Sequence, residues 1–319
     1  YAPSTALGVT HTLLPYPIYV TTIIAKTVST SVAGVIGSQI TQTNYQYEKG
    51  YHSLSDRDFR GFQRTTVTAC VACSAGEKTI TVTEFHQGAG TAPAEDIGAT
   101  LSHPDAPTKG LPYRILVQDG AFTPLLETLT TYAVDVNGQA PWYTPSSQVL
   151  TKTYANGAVV KTTQANFTYD HTYGNVMRED HHGDLGVTGD EKTIERDFAN
   201  DINIWLLGFP NRETIYKGIS TAATDRMAET TFFYDGVTNC TTGSTVQVPT
   251  IGHLTRTVNW VNGGTNPETR MAYDLYGNRT CTWTASGIPA GSITTTTYDT
   301  TYHLFPVAAT NALTHQVTT

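Results

Sequence analysis

Charge is what this sequence has least of. Asp, Glu, Lys and Arg make up 14% of its 319 residues, against roughly 25% in an average soluble domain. The 19 basic residues are scattered and outnumbered by 27 acidic ones, for a net charge of −8. A phosphate backbone requires a clustered Lys/Arg surface, so nucleic acid is not an expected partner. The longest apolar runs, such as "YPIYVTTIIA" at 16–25, fall short of the 18 or more residues of a membrane-spanning helix. Four cysteines, Cys70 and Cys73 in "CVAC" with Cys240 and Cys281, lack the second close pair of a zinc framework. P-loop, Rossmann, EF-hand and G-x-S-x-G signatures are absent as well, and no cofactor is expected.

What remains is hydroxyl-rich. Fifty-eight residues are Thr and 18 are Tyr, which favour a pleated, half-exposed surface over a helix. Period-2 alternation recurs in "RTTVTA", "KTITVTEF", "YRILVQD", "LETLTTYAV", "QVLTKTY", "GHLTRTVNWV" and "SITTTTYD", each bounded by turn residues. Such spacing predicts an all-β meander of antiparallel hairpins. Only 190–201, "DEKTIERDFAND", has partly helical composition, and a strand fits it equally. The segment "QGAGTAPAEDIGATLSHPDAPTKG" reads as a long loop, which places a soft boundary near 105 between an N-terminal β segment (1–104) and a repeat region (105–319). The chain opens at Tyr1 and stops inside the strand-like "THQVTT", as an excised or processed part of something longer would.

One phrase returns. Tyr169-Asp170 leads to Gly174, Tyr234-Asp235 to Gly236, Tyr273-Asp274 to Gly277, and Tyr298-Asp299 to Tyr302. Adjacent residues on a strand face opposite ways, so Tyr supplies an inward aromatic. Asp can bond the backbone two positions on and start a turn, Gly supplies a positive φ, and Asn278 makes Gly-Asn a workable tip. A single hairpin is marginal in water, so these modules must lie side by side, and a long strip twists and curls.

These phrases resemble the YD repeats of Rhs proteins. "YQYEKGYHSLSDRDFRGFQRTTVT", "KGLPYRILVQDG" and "HGDLGVTGDEKTIERDFANDINIWLLGFPNRETI" resemble, more specifically, the B-component subunits of bacterial insecticidal toxin complexes. The resemblance covers about 12–319. It implies a β-strip spiralling into a hollow shell around a toxic polypeptide, secreted or delivered at the cell surface. A self-cleaving segment rich in Asp, Pro, Gly and Asn, which ends full shells of this type, does not occur by Thr319.

Three clusters invite chemistry. "EDHHGD" at 179–184 could supply metal ligands through His181, His182, Asp180 and Asp184, or form a solvated hairpin tip. Glu84 and His86 share a face, as a carboxylate-oriented imidazole would, but lack a nucleophile. Asp56 and Asp58 could be paired carboxylates, although Arg57, Arg60 and Arg64 point instead to ion pairs at a turn. "CVAC" reads as hairpin-tip cysteines with or without a local disulfide. If 230–234, 253–261, 268–273 and 279–285 are consecutive antiparallel strands, Cys240 and Cys281 meet the same sheet edge two strands, or about 10 Å, apart, so bridging them requires the Cys240 loop to fold back. Sequons occur at Asn166, Asn239 and Asn278.

The sequence thus predicts a non-enzymatic structural protein whose partners are an enclosed polypeptide or neighbouring subunits. A surface or filament protein using the same sheet for adhesion or self-assembly is the alternative, and a hydrolase around His86 or His182 a further one.

Overall fold

The computed structural model describes all residues except 7–13, 15, 33–34, 55–56, 72–77, 88–106, 134–142, 286–290 and 319, and leaves undescribed the side chains of residue 5, 28–40 and 71. Among the described residues there are twenty strands and no α-helix. Among the described residues no helix is long and apolar enough to cross a membrane. The expected boundary near 105 lies outside the described residues. The contacts divide the chain into two units, 1–167 with 181–190, and 168–180 with 191–319.

In the first unit, a two-stranded pair joins β1 (Ala2–Pro3) to β2 (Tyr19–Val20). The larger sheet runs through β3 (Ile23–Val32), β4 (Val35–Ser53), β5 (Asp58–Val71), β6 (Lys78–Phe85), β7 (Pro112–Asp119), β8 (Pro124–Tyr132), β9 (Ser146–Ala155) and β10 (Ala158–Tyr169). Each strand pairs antiparallel with its successor. The strand β11 (Val176–Asp184) is divided between the units. The second unit continues with β12 (Lys192–Phe198), β13 (Pro210–Lys217), β14 (Arg226–Tyr234), β15 (Leu254–Asn259), β16 (Glu268–Tyr273), β17 (Arg279–Thr284), β18 (Ser292–Tyr298), β19 (Pro306–Thr310) and β20 (Gln316–Thr318), again each antiparallel to the next. The segment with partly helical composition is therefore strand β12. Because Thr and Ile alternate there, Thr193 is buried and pairs with Tyr216 on β13.

Chain-ordered antiparallel pairing puts every connection from an even to an odd strand on one edge of its sheet. It also sorts the side chains by face. In the first unit Thr65, Thr83, Ile115, Thr128, Thr151 and Thr163 stand opposite one another in a row crossing β5 to β10. The other face carries the charges: Glu48, Arg64, Glu84 and Arg114 are successive opposed partners, followed by Glu127 opposite Lys152. The second unit repeats an uncharged row, Phe232, Thr257, Thr269, Thr284 and Ser292.

The interior is accordingly polar. Nine apolar residues are buried among the described ones, against thirteen polar or charged, and buried charge must be paired to be tolerated. Glu84, 2% exposed, accepts from Arg64 Nη2 at 2.5 Å and Arg114 Nη1 at 3.3 Å. Glu127 accepts from Arg114 Nε at 2.6 Å, Lys152 Nζ at 3.0 Å and the Tyr154 hydroxyl at 2.9 Å. Burial would raise the Glu127 carboxyl, but these donors outweigh it and hold it below the usual carboxylate range.

Candidate functional site

The four Tyr-Asp copies all fall where an even-numbered strand ends and its connection begins. At Asp235 the main chain is left-handed (φ 49), followed by Gly236 at φ 73, so the carboxylate turns back into its own loop. Its Oδ2 accepts from the backbone N–H groups of Thr250 at 2.7 Å, Ile251 at 2.9 Å and Gly252 at 3.2 Å, and Oδ1 from that of His253 at 2.9 Å. Burial would raise this carboxyl, yet the four donors hold it below its ordinary value.

The shorter copies use the same device. Asp274 Oδ1 accepts from the N–H of Tyr276 and of Asn278, both at 2.9 Å, and Oδ2 from Asn278 Nδ2 at 3.0 Å. The tip is Leu275-Tyr276-Gly277, with Gly277 at φ 84, a conformation that a Cβ disfavours. Asn278 is not the tip residue of the sequence reading but the clamp closing the turn, because its carbonyl also accepts from the Asp274 N–H at 3.0 Å. Asp299 accepts from the N–H groups of Thr301, Tyr302, Leu304 and Phe305. The Tyr302 and Phe305 donors, foremost, pull its carboxyl far below the usual range. Asp170 accepts from the Thr172 N–H at 2.8 Å, and Gly174, at φ 78, donates its N–H to the Asp170 carbonyl.

The tyrosines do more than fill space. The Tyr234 hydroxyl donates to the Pro210 carbonyl at 2.6 Å, Tyr273 to Leu254 at 3.1 Å and Tyr298 to Arg279 at 3.3 Å. Each acceptor is the first residue of the preceding strand. At the same three tyrosines the pairing with the following strand slips by one residue. Such a bulge bends the strand end, and the amphipathic ring then reaches across it to satisfy a strand-opening carbonyl. Tyr234 is buried, which pushes its hydroxyl up to about 12; Tyr169, Tyr273 and Tyr298 are half-buried.

The connection 235–253 lies back over the sheet. Arg256 and Arg270 are directly opposed, a repulsive pairing. Glu268 resolves it by accepting from Arg256 Nε at 2.5 Å and from Arg270 Nη2. Burial would raise Glu268, but the Arg270 and Arg256 hydrogen bonds lower it. The guanidiniums cover the Phe233 and Trp283 rings and donate to the Ser244 and Thr241 carbonyls of the loop. So placed, Cys240 meets Cys281 in a disulfide with a Cα–Cα distance of 6.1 Å, which is the fold-back that the spacing demanded. Cys70 is also disulfide-bonded, while Cys73 lies outside the described residues. Beneath the loop a cleft of about 690 Å³ opens between Asp235, Ile251, His253, Tyr273, Leu275 and Tyr276. His253 stacks on Tyr273 at 4.6 Å and Tyr276 on His303 at 3.9 Å.

The chemical candidates disperse into structural pairs. Glu84 sits in the charge ladder. His86, beside Tyr113 and Tyr132 at 4.9 and 5.9 Å, is buried at its end. Within 179–184, Glu179 pairs with Arg196, Asp180 with Arg178 and Thr193, and His182 with Asn166 at 2.9 Å. Asp58 pairs with Lys109, and Arg64 with Glu48 and Glu84. At the 56–60 turn Asp58 is thus paired by a lysine from far along the chain, and Asp56 lies outside the described residues. Among the described residues no group of three His, Cys, Asp or Glu is gathered as for a metal ion.

Three module residues escaped the sequence reading. The Tyr132 hydroxyl donates to Pro112 at 2.7 Å with the same slip beside it, although Ala follows it rather than Asp. Asp119 and Asn311 cap their turns by accepting from residues two and four positions on. For Tyr132 the available signal was its place closing a Thr-rich alternating run.

Residues 2–91 match the family model described as the insecticide toxin TcdB middle/N-terminal region. No curated protein matches the chain. Among solved structures, a TcdB2-TccC3-Cdc42 crystal structure is similar with a TM-score of 0.61 at 12% identity, over 95% of this chain and 22% of that one. TcdB2-TccC3 without its hypervariable C-terminal region gives 0.59 at 12%, over 95% and 21%. The Photorhabdus luminescens Tc holotoxin pore carrying a TccC3 substitution gives 0.57 at 11%, over 86% and 20%. The chain therefore spans about a fifth of the length of these relatives. The family match at its N-terminal end and the shared fold make this chain similar to the YD-repeat, B-component subunits of insecticidal toxin complexes.

Proposed function

We propose that the chain is a segment of wall in a secreted shell that encloses a toxic polypeptide, with the remainder of that shell or neighbouring subunits as its other partners. The observation that carries this reading is the chain-ordered antiparallel strip in which four even strands, β10, β14, β16 and β18, end in the same Tyr-Asp construction. That construction lets a sheet lengthen indefinitely without a second layer. The roles proposed for Tyr169, Tyr234, Tyr273 and Tyr298 are to brace strand ends, and those for Asp170, Asp235, Asp274 and Asp299, with Gly174, Gly236 and Gly277, are to fix the turns. The uncharged threonine rows suit contact with a polypeptide of any charge, because they neither attract nor repel it. On this reading the wall is not enzymatic, and the carboxylates of Glu84, Asp58 and Glu179 are consumed by ion pairs.

Electron microscopy of the protein made from the complete reading frame, combined with protease protection of any co-purifying polypeptide, tests this. A hollow particle shielding a polypeptide is expected; a solid particle or a fibre with nothing protected contradicts it. Self-assembly is the second reading, favoured by the apolar turns on one edge of the second unit.

A further inference from the structure

Rings, carboxylates and aliphatic side chains converge on the cleft beneath the 235–253 connection, within the second unit. At about 690 Å³ it falls in the size range of small-molecule sites, roughly 300–1,000 Å³. The turn after β14 meets the turn after β16 there: His253 stacks on Tyr273 at 4.6 Å, and its Nε2 stands 3.6 Å from the place a Cβ on Gly277 would take. His253, Tyr273 and Tyr276 contribute rings, Val237, Ile251 and Leu275 aliphatic surface, and Asp235 and Asp274 carboxylates. Among the described residues that line it none is Lys or Arg, and Arg279, opposed to Tyr273 on β17, lies outside the lining.

The polar groups of the cleft are charged but already engaged. Asp235 accepts from four backbone N–H groups, and Asp274 from two together with Asn278 Nδ2. Both carboxylates therefore stay ionised, yet of the roughly four lone-pair sites each possesses, few remain open. The Thr255 hydroxyl donates to the Asp235 carbonyl at 3.0 Å and that of Tyr273 to the Leu254 carbonyl at 3.1 Å. A sugar would find few free acceptors, and a guanidinium or primary ammonium would shed water without replacing it. What the cleft still offers is negative charge, ring faces and apolar surface. We infer that it binds an organic cation without N–H donors, a trimethylammonium group carried on a small or amphiphilic molecule. The methyls of such a group pack as apolar surface, while its diffuse charge is attracted by ring quadrupoles and carboxylates with no hydrogen bond to satisfy. Tyr276, 62% exposed, has one face stacked on His303 at 3.9 Å, which leaves the other for the ligand.

Amide chemical-shift titration of the full chain tests it, at about pH 8, above the range in which carboxylates titrate. The probes are choline, its uncharged analogue with tert-butyl in place of trimethylammonium, and ethanolamine. Choline should bind saturably with a millimolar Kd, as a ligand of its size allows, and shift the amides of 236–238, 251–253 and 274–277. The uncharged analogue and ethanolamine should each bind about fivefold more weakly or worse. Tyr276→Ala should weaken choline by about fivefold, whereas Tyr276→Phe should hold it within about twofold. Trp205→Ala, which removes an exposed ring from another turn, should change nothing. Tyr276 is an exposed tip residue, and unchanged amide shifts in β14 to β17 confirm that its variants fold. Flotation with phosphatidylcholine but not phosphatidylglycerol vesicles assigns the group to a lipid headgroup; choline binding without flotation assigns it to a soluble molecule. Equal binding of choline and its uncharged analogue overturns the inference, as do shifts that never saturate or binding indifferent to Tyr276→Ala.

Discussion

In the first unit one charge ladder crosses six strands, whereas in the second the charge clusters are shorter and fastenings at the strand ends are more numerous. Glu48, Arg64, Glu84, Arg114, Glu127 and Lys152 alternate in sign over six strands, with the two most buried members each held by two or more cations or hydroxyls. In the second unit the charge groups span only two or three strands, Glu179–Arg196–Glu213 and Arg256–Glu268–Arg270, and from β14 onward tyrosine hydroxyls on strand-opening carbonyls, aspartates in their turns and the Cys240–Cys281 disulfide are added. The lesson is that a sheet with few buried apolar side chains can be stabilised either across its face or along its edge.

The largest effect should come from breaking the ladder. Glu84→Ala leaves two guanidiniums facing a buried void, and removing one member of a buried pair costs about 3–5 kcal/mol. Denaturant unfolding with hydrogen exchange should place the loss in β5 to β7 and leave β14 to β17 unchanged. Next, replacing Cys240 and Cys281 by Ser should cost roughly 2–4 kcal/mol, with protection lost across 236–250 and retained in the first unit. Asp235→Asn is smaller, about 1–2 kcal/mol by comparison with other carboxylate caps. It should also change the acid limb. The folded Asp235 carboxyl titrates below its unfolded value, so its contribution is complete above about pH 4 and is lost as pH falls through the folded value. The variant's melting temperature should therefore decline less steeply in acid than the parent's. The smallest effects are Tyr234→Phe, about 1 kcal/mol, and Tyr298→Phe, about half of that or less, because only the first hydroxyl is buried with its carbonyl. Equal losses at the two tyrosines would show that burial does not govern the hydroxyl.

Much of this was legible in the sequence because Thr, Val and Tyr alternate with period two and turns are spelled by Asp and Gly. Strands expected at 268–273 and 279–285 appear as Glu268–Tyr273 and Arg279–Thr284. The aspartate-to-backbone bond two residues on was legible for the same local reason. The ladder was not, because it depends on register between strands up to 30 residues apart. A trace of it existed: the successive runs hold Arg64, Glu84, Arg114, Glu127 and Lys152, charges that alternate in sign from one run to the next. The Lys109 partner of Asp58 crosses 51 residues, beyond any local pattern, and the tyrosine acceptors lie 19 to 24 residues back.

The claim that strand ends are fixed by aspartate-held turns is tested most directly by residue-resolved amide exchange at Thr250, Ile251, Gly252, His253, Tyr276 and Asn278. The account predicts slow exchange at all six. Asp235→Ala should release only the first four and Asp274→Ala only the last two. Fast exchange at these amides in the unmodified chain, or release at both turns by either substitution, would contradict it.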